Sequence, residues 1–375
     1  MAGLTVRPAG SPGDIEDYIR FPFALYRGYP HWVPPLLMER REFLNPRKNP
    51  VYEYAEVQPL VARRGATVVG TITALRNPRY GEFHPHEGHV GFFGLYECER
   101  DAEASHALFT AAAEWLKARG LSVMRGPTNL TTNDVVGLLV EGFDEDPAIL
   151  MPYNPPYYTE QFDAFGLSKV KDLFALEVRA EEYKGQLDQL ASKLLLRGRI
   201  TVRPVNLRRW GQELAFVRDC YNEAWANNWG FVPWTDRELA VLAKEIKPLI
   251  DPRLALVGEV DGKPAAILIA VPDANEALKL ARGRLLPFGL IRILWRLKVA
   301  GCRRVRVLAL GVLPKYRRLG LDGLLILRAV QNGIPLGYRR AEVGWILEDN
   351  AAILRPLAHF NARQTKTYRI YDRVL

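Results

Sequence analysis

Leu310-Gly-Val-Leu-Pro-Lys-Tyr-Arg317-Arg318-Leu319-Gly320-Leu321-Asp322-Gly-Leu-Leu325 is the stretch on which the reading of this chain turns. An apolar, β-prone run, Val305 to Leu310, leads into a turn marked by Pro314. Two arginines and a glycine follow, and Leu321 to Val330 reads as an apolar helix. A strand, a basic turn and a helix N-terminus together make an anion pocket. The first helical turn has N–H groups with no partner inside the helix, and the helix dipole adds partial positive charge there. Gly320 lets a phosphate approach the main chain with no Cβ in the way, and Arg317 and Arg318 add charge-assisted hydrogen bonds. The dipole alone contributes about 0.3–1 kcal/mol, so N–H groups and arginines must act together. The pattern predicts a pyrophosphate site; the plainer alternative is a strand–turn–helix with a basic surface loop.

The order Val312-x-Pro314-x-x-Arg317-x-x-Gly320 also resembles the signature strand, loop and helix of the GNAT acyltransferase superfamily. The resemblance implies that coenzyme A places its pyrophosphate at Arg317, Arg318, Leu319, Gly320, Leu321 and Asp322. It further implies that backbone N–H groups near Leu310 to Val312 polarise the thioester carbonyl. The position two after the glycine is usually Gly or Ala in that pattern. Here it is Asp322, which repels phosphates unless its side chain turns away.

Downstream, Ala341 to Glu348 reads as a strand, and a helix starts near Asp349 or Asn350. Thr365 to Tyr371 reads as a closing strand. In the resemblance these are the fifth strand, the helix whose early Asn350 contacts the cofactor, and the last strands. The tyrosine that many members carry seven residues after that Asn is Leu357 here, so the usual proton donor to the leaving thiolate is missing from its place. Tyr368 and Tyr371 are substitutes by proximity in sequence, although a strand tyrosine more often packs than donates.

The 375 residues are 48% apolar and 25% charged, ordinary for globular protein and enough for two domains. No run reaches the roughly 18 apolar residues of a membrane span, and no signal-peptide pattern is present. Cys98, Cys220 and Cys302 have neither metal nor disulfide spacing. The expectation is a cytoplasmic protein that binds no metal. Its charge is uneven: between Lys279 and Arg340 stand fifteen Lys or Arg and one acid, Asp322, in a chain of net +9. Such a field suits a polyphosphate ligand, an anionic membrane surface or nucleic acid. Nucleic acid is disfavoured, because no zinc finger, RNP motif or recognition helix accompanies the charge.

Within that region, Leu285 to Val299 surrounds Arg292, Arg296 and Lys298 with large apolar residues. This fits an interfacial helix peripheral to the inner membrane face and equally a core-facing helix with a solvated stripe.

The rest of the chain reads as two halves of similar plan. The first has a helix at Ile15–Tyr26, strands at Val57–Arg63, Thr67–Leu75 and Val90–Tyr96, a helix at Ala102–Arg119, and a strand at Val170–Val178. Glu97, Glu99, Arg100 and Asp101 stand where the second half has its basic turn, and the acids would repel pyrophosphate. The polar run Asn129 to Asp134 reads either as a reader of the acceptor's polar head or as an ordinary turn. A linker helix is expected over Ala180–Leu196. The second half then has a strand at Arg199–Arg203, a helix at Trp210–Asn227, an aromatic loop at Asn228–Asp236, a helix at Arg237–Ile246, and a hairpin across Asp261-Gly262.

The fold expectation is therefore α/β: two GNAT-like units, each a mixed, mostly antiparallel twisted sheet flanked by helices. Residues 1–180 form a degenerate N-terminal domain on the acceptor side, and residues 181–375 a GNAT domain with the acyl-CoA site. Across its whole length the chain resembles a bacterial branch of tandem GNAT proteins, through His31-Trp-Val-Pro-Pro35, Gly91-Phe-Phe-Gly94, Met151-Pro-Tyr-Asn-Pro-Pro-Tyr-Tyr158 and Asn228-Trp-Gly-Phe-Val-Pro233. Some members of that group are linked to ceramide synthesis, in which a long-chain acyl-CoA is joined to the amine of a sphingoid base. The resemblance implies an N-acyltransferase using acetyl-CoA or a longer acyl-CoA and an amine acceptor; the alternative is a non-catalytic acyl-CoA or lipid-binding protein. Attack by an amine needs a base. Strand parity puts Glu342, Gly344, Ile346 and Glu348 on one face. Glu342 or Glu348 is therefore the candidate base, with Asp349 next; Glu348 and Asp349 read alternatively as helix caps.

Overall fold

The computed structural model describes residues 3–183, 185, 188, 195 and 198–375. In chain order its main elements are β1 (Leu4–Pro8), α1 (Pro12–Leu25), α2 (Leu37–Phe43), β2 (Glu56–Arg64), β3 (Thr67–Arg76), α3 (Pro78–Phe83) and β4 (Val90–Cys98). Next come α4 (Ala102–Lys117), β5 (Val123–Gly126), β6 (Leu138–Glu141), α5 (Tyr158–Ala164), β7 (Ser168–Arg179), β8 (Ile200–Pro204), α6 (Trp210–Ala224) and α7 (Asp236–Ile246). The chain continues through β9 (Ala255–Val260), β10 (Lys263–Pro272), α8 (Asn275–Ala281), α9 (Gly289–Trp295), β11 (Arg304–Val312), α10 (Leu321–Gly333), β12 (Arg340–Leu347), α11 (Ala351–Ala358) and β13 (Arg363–Val374). The linker helix expected over Ala180–Leu196 falls mostly outside the described residues; Ala180–Glu182 is a single 3-10 turn.

Two compact units form. The first comprises Met1–Leu173, Leu278–Leu290 and Lys366–Leu375; the second comprises Phe174–Ala277 and Ile291–Thr365. The cut expected at residue 180 compares with a first crossing inside β7, and two later segments return to the first unit.

In the first unit, β1, β2, β3 and β4 pair antiparallel in that order. β5 joins β4 in parallel, and the end of β13 pairs antiparallel with both β5 and β6. Helix α4 covers this sheet because Ala104, Leu108, Ala112 and Leu116 recur at helical spacing and are buried. Asp101 caps it, its side chain accepting from the Ala104 N–H at 3.0 Å. Arg125, buried in β5, is held bidentately by Asp372 of β13 at 2.8 and 2.7 Å and also by Glu87.

In the second unit, β8, β9, β10 and β11 pair antiparallel, and β11 pairs in parallel with β12. Asp261 and Gly262 take φ of 50° and 73°, the left-handed pair that a two-residue hairpin turn requires. The apolar face of α10 (Leu321, Leu324, Leu325, Leu327) packs on Leu256, Leu268, Val305 and Val343. Each unit thus has the expected mixed, mostly antiparallel sheet flanked by helices. The segment expected as one helix over Leu285–Val299 is shorter: α9 spans Gly289–Trp295 and continues as a π turn through Ala300.

Candidate active site

The parallel pairing of β11 with β12 is brief. It runs from Arg304–Arg340 to Val307–Val343 and stops, although β11 continues to Val312 and β12 to Leu347. At the point of parting, β11 carries a bulge. Ile269 faces Ala309 and Ala270 faces Val307, which leaves Leu308 as the extra residue. Parity inverts there: Val305 and Leu310 pack in the core under α10, while Leu308 and Ala309 pack on the other side with Val257 and Ile269. Among the described residues, no side chain bonds to the backbone of Leu308, Ala309 or Leu310. An opening whose one wall is unpaired backbone is where a ligand can enter a sheet.

Beyond the opening, the turn curls back on itself. Arg318 and Gly320 have φ of 69° and 75°, and Gly320 is the N-cap of α10, with no side chain capping that helix. Left-handed residues next to a helix start turn successive N–H groups toward a common concavity, which attracts anions. Arg317, Arg318 and Leu319 are exposed and Asp322 is half-buried. The guanidinium of Arg317 donates to the Ala224 carbonyl, at the end of α6, at 3.0 Å. The residues expected at the pyrophosphate turn are thus contiguous with the bulged strand that carries Leu310 and Val312.

The three expected carboxylates are less alike. Glu342 is buried, its Oε2 3.9 Å from Nη1 of Arg304, which itself bonds Asp273 at 2.7 Å. It belongs to an internal charge cluster. Glu348 and Asp349 form the turn after β12, half-buried and exposed respectively. Asn350 is the N-cap of α11, and its side chain makes no capping hydrogen bond. Val343 and Ile346 both pack in the core under α10, so simple alternation does not carry one strand face from Glu342 to Glu348. Leu357 is fully buried in that core. Tyr368 and Tyr371 lie on the part of β13 that belongs to the first unit, both buried.

Comparison with known proteins follows the same line. Bacterial ceramide synthase of Caulobacter vibrioides is 37% identical over 382 residues, covering 100% of this chain and 98% of that protein. The protein YghO of Escherichia coli is 35% identical, covering 98% of this chain and 95% of its own. A tandem GNAT protein from the clavulanic acid biosynthesis pathway superposes with a TM-score of 0.57 at 12% identity, covering 99% of this chain and 98% of that one. The chain belongs to the family of the bacterial ceramide synthase, and its fold is that of tandem GNAT proteins. No protein-family profile matches it.

With a tandem GNAT fold, the chain has a second opening to account for. In the first unit, β4 and β5 also pair in parallel only briefly, from Val90–Val123 to Phe92–Arg125, while β4 runs on to Cys98. That opening is filled from within. The Leu95 N–H donates to the Asn129 side chain at 2.9 Å, and Thr128 N–H donates to the Phe93 carbonyl at 2.8 Å. A Cβ on Gly94 would lie 1.7 Å from the Thr128 oxygen. The Cys98 N–H donates to the Tyr158 hydroxyl, which donates to Glu97 at 2.7 Å; Tyr26 donates to the same carboxylate at 2.8 Å. Burial pushes the Glu97 carboxyl up to about 7. The polar run that begins at Asn129 is a self-bonded turn, with Asp134 accepting from the Thr131 hydroxyl at 2.9 Å.

An aromatic cluster in the second unit was not singled out from sequence. Tyr221 stacks on Trp234 at 3.8 Å and on Trp225 at 4.6 Å. The Trp225 ring lies so close to β11 that a Cβ on Gly311 would meet it at 2.4 Å. The signal available was the aromatic loop after Asn228, whose partner on α6 is visible only once the chain is folded.

Proposed function

We propose that the second unit binds an acyl-coenzyme A and transfers its acyl group to an amine. The pyrophosphate sits at Arg317, Arg318, Leu319, Gly320 and the first N–H groups of α10, from Leu321 and Asp322. The thioester lies in the opening beside Leu310 and Val312, with Asn350 beyond it. What carries this reading is the uncapped helix start, fronted by two left-handed residues, on a strand whose inner edge is unpaired.

In the reaction, the amine nitrogen attacks the thioester carbon and the carbon–sulfur bond breaks. A carboxylate takes the proton the nitrogen loses. Glu348 is the base we favour over Glu342, because Glu342 is already engaged with Arg304, and over the exposed Asp349, because a base needs shelter from water. The thiol leaves as a thiolate. A thiol with an ordinary pKa of about 8.5 needs little help from an acid, which is consistent with an apolar Leu357 at the usual tyrosine position.

The acyl group in this reading is long, and the acceptor is a lipid amine of the sphingoid kind. The ceramide synthase relationship supports this, as does the aromatic cluster around Tyr221. A cavity of about 70 Å³ under α10, lined by Leu310, Ile326, Val330, Ala341 and Val343 among others, is apolar. On this measure one water needs about 10–15 Å³, so the cavity holds only the start of a chain and a longer tail has to displace core side chains. Fourteen methylenes beyond acetyl contribute at most about 11 kcal/mol, at about 0.8 kcal/mol each. The first unit, residues 1–180 in the sequence reading, binds no coenzyme A in this proposal and serves the acceptor. Peripheral contact with an anionic membrane, where such an acceptor resides, completes it. Among the described residues no helix is long and apolar enough to cross a membrane.

Calorimetric titration with acetyl-CoA and palmitoyl-CoA tests the donor. Palmitoyl-CoA binding far more tightly, with both lost in Gly320→Asp, is the expected result. Equal affinities would remove the long-chain donor, and no binding of either would remove the coenzyme A site.

A further inference from the structure

Exposed apolar surface on this molecule is concentrated. Of the fourteen large apolar side chains exposed among the described residues, eight lie in the run from Leu280 to Val299, and four of these stand on the nine residues Ile291–Val299 of the second unit. On α9 and its π turn, Ile291, Leu294, Trp295 and Val299 are 64%, 48%, 54% and 74% exposed. At helical spacing these four fall on one side together with the exposed Lys298, while Ile293, Arg296 and Leu297 turn inward, half-buried. The outward face is therefore the apolar one, the reverse of a core-facing helix with a solvated stripe.

Two features hold it that way. Arg296, on the inward side, pairs with Glu276. The same carboxylate accepts from the backbone N–H groups of Arg303 and Arg304 at 3.1 and 2.9 Å, which ties the helix's inward arginine and the chain that follows the segment to one group. On the same unit, Arg292, Lys298 and Arg303 are exposed, and no acid occurs in the sequence from Ala277 to Leu321.

We infer that this segment is a membrane-docking element: it lays Ile291, Leu294, Trp295 and Val299 into the interfacial layer of an anionic bilayer, with the flanking basic side chains at headgroup level. Apolar side chains aimed at solvent, a tryptophan among them and cations at the rim, match the interface of a charged bilayer point for point. The charge argues against a second copy as the occupant, since a self-complementary contact would bring two positive rims together. The inference deepens the membrane contact in the proposal above and does not depend on which acyl donor is used.

The test is co-sedimentation of the full chain with vesicles of phosphatidylcholine alone and of phosphatidylcholine mixed with phosphatidylglycerol. Binding to the anionic vesicles, weakened by salt and reduced at least about tenfold in Ile291→Asp/Trp295→Asp, is expected. Arg292→Glu/Lys298→Glu should lose the preference for phosphatidylglycerol. Both variants should keep the wild-type thermal transition and bind acyl-CoA in vesicle-free solution. Wild-type tryptophan fluorescence should be quenched by brominated lipid, and Trp295→Phe should lose that quenching. Wild type left in the supernatant, or variants that sediment equally, would overturn the inference. So would a wild-type dimer in solution that Ile291→Asp dissolves without any vesicle binding. Loss of acyl-CoA binding in Gly320→Asp with vesicle binding intact would bear on the coenzyme A turn alone.

Discussion

Both units part a parallel strand pair after a few residues, and they treat the gap in opposite ways. In the first, the helix that follows is α4, and its start is occupied by the Asp101 carboxylate, itself held by Arg64 at 2.9 Å. In the second, the corresponding helix is α10, which begins at a bare Gly320 behind two arginines. The first unit's strand edge is bonded to Asn129 and Tyr158. The second unit's edge from Leu308 to Leu310 has no side chain on it among the described residues. One backbone design thus serves as a packed core in one half and leaves an open strand edge in the other, where we propose that the ligand lies. A handful of side chains makes the difference: a fixed anion where phosphate would go, and an amide where a carbonyl would go.

The strongest way to break the comparison is to give the second opening what the first has. Gly320→Asp adds a carboxylate at the helix start and a Cβ at a positive φ. We expect acyl-CoA affinity to fall about a hundredfold or more, near 3 kcal/mol, by calorimetry; unchanged affinity would mean the pyrophosphate sits elsewhere.

Next in size is the buried acid in the first opening. Burial raises the Glu97 carboxyl to about 7, so between its unfolded value near 4.5 and pH 7 the native state holds a proton that the unfolded state has released. Stability from this group is therefore present below pH 4.5 and lost as pH rises through 7. Glu97→Gln cannot titrate, so from pH 5 to pH 8 its stability should gain on wild type by on the order of 2 kcal/mol, read by urea denaturation. A pH-independent difference would show that the carboxyl is solvated.

Arg318→Ala should weaken acyl-CoA about tenfold, near 1.4 kcal/mol, with its salt dependence reduced. Arg317→Ala should do likewise and in addition release the end of α6. The smallest effect is expected for Asp101→Ala, a loss of about 1 kcal/mol of stability with no acyl-CoA binding gained. Gained binding there would mean that the cap alone keeps the first unit empty.

The strand–turn–helix around Gly320 was readable because its logic is local: a glycine at positive φ, arginines in a turn, and an apolar helix close in sequence. The acids in place of the basic turn after Tyr96 were readable for the same reason, and one of them, Asp101, proves to be a helix cap. The filling by Asn129 was not, since it depends on a side chain reaching a backbone N–H thirty-four residues away. Nor was the face of Glu348. Counting alternate residues assumes a regular strand, and the core positions of Val343 and Ile346 show that β12 is not regular. The burial of Tyr368 and Tyr371 in the first unit was hidden too, because which unit a strand completes depends on pairing partners hundreds of residues apart.

That last pairing bears on how the chain is made. Arg125 and Asp372 are 247 positions apart, and β5 and β6 both lean on β13. On a ribosome adding about 5–20 residues per second, the first unit waits roughly ten to fifty seconds with two strand edges open before its closing strand emerges. The second unit's β8 to β12 are synthesised in that interval. The half that is translated first is thus among the last to be finished, and it meanwhile shows the unpaired edges that chaperones and neighbouring chains compete to cover.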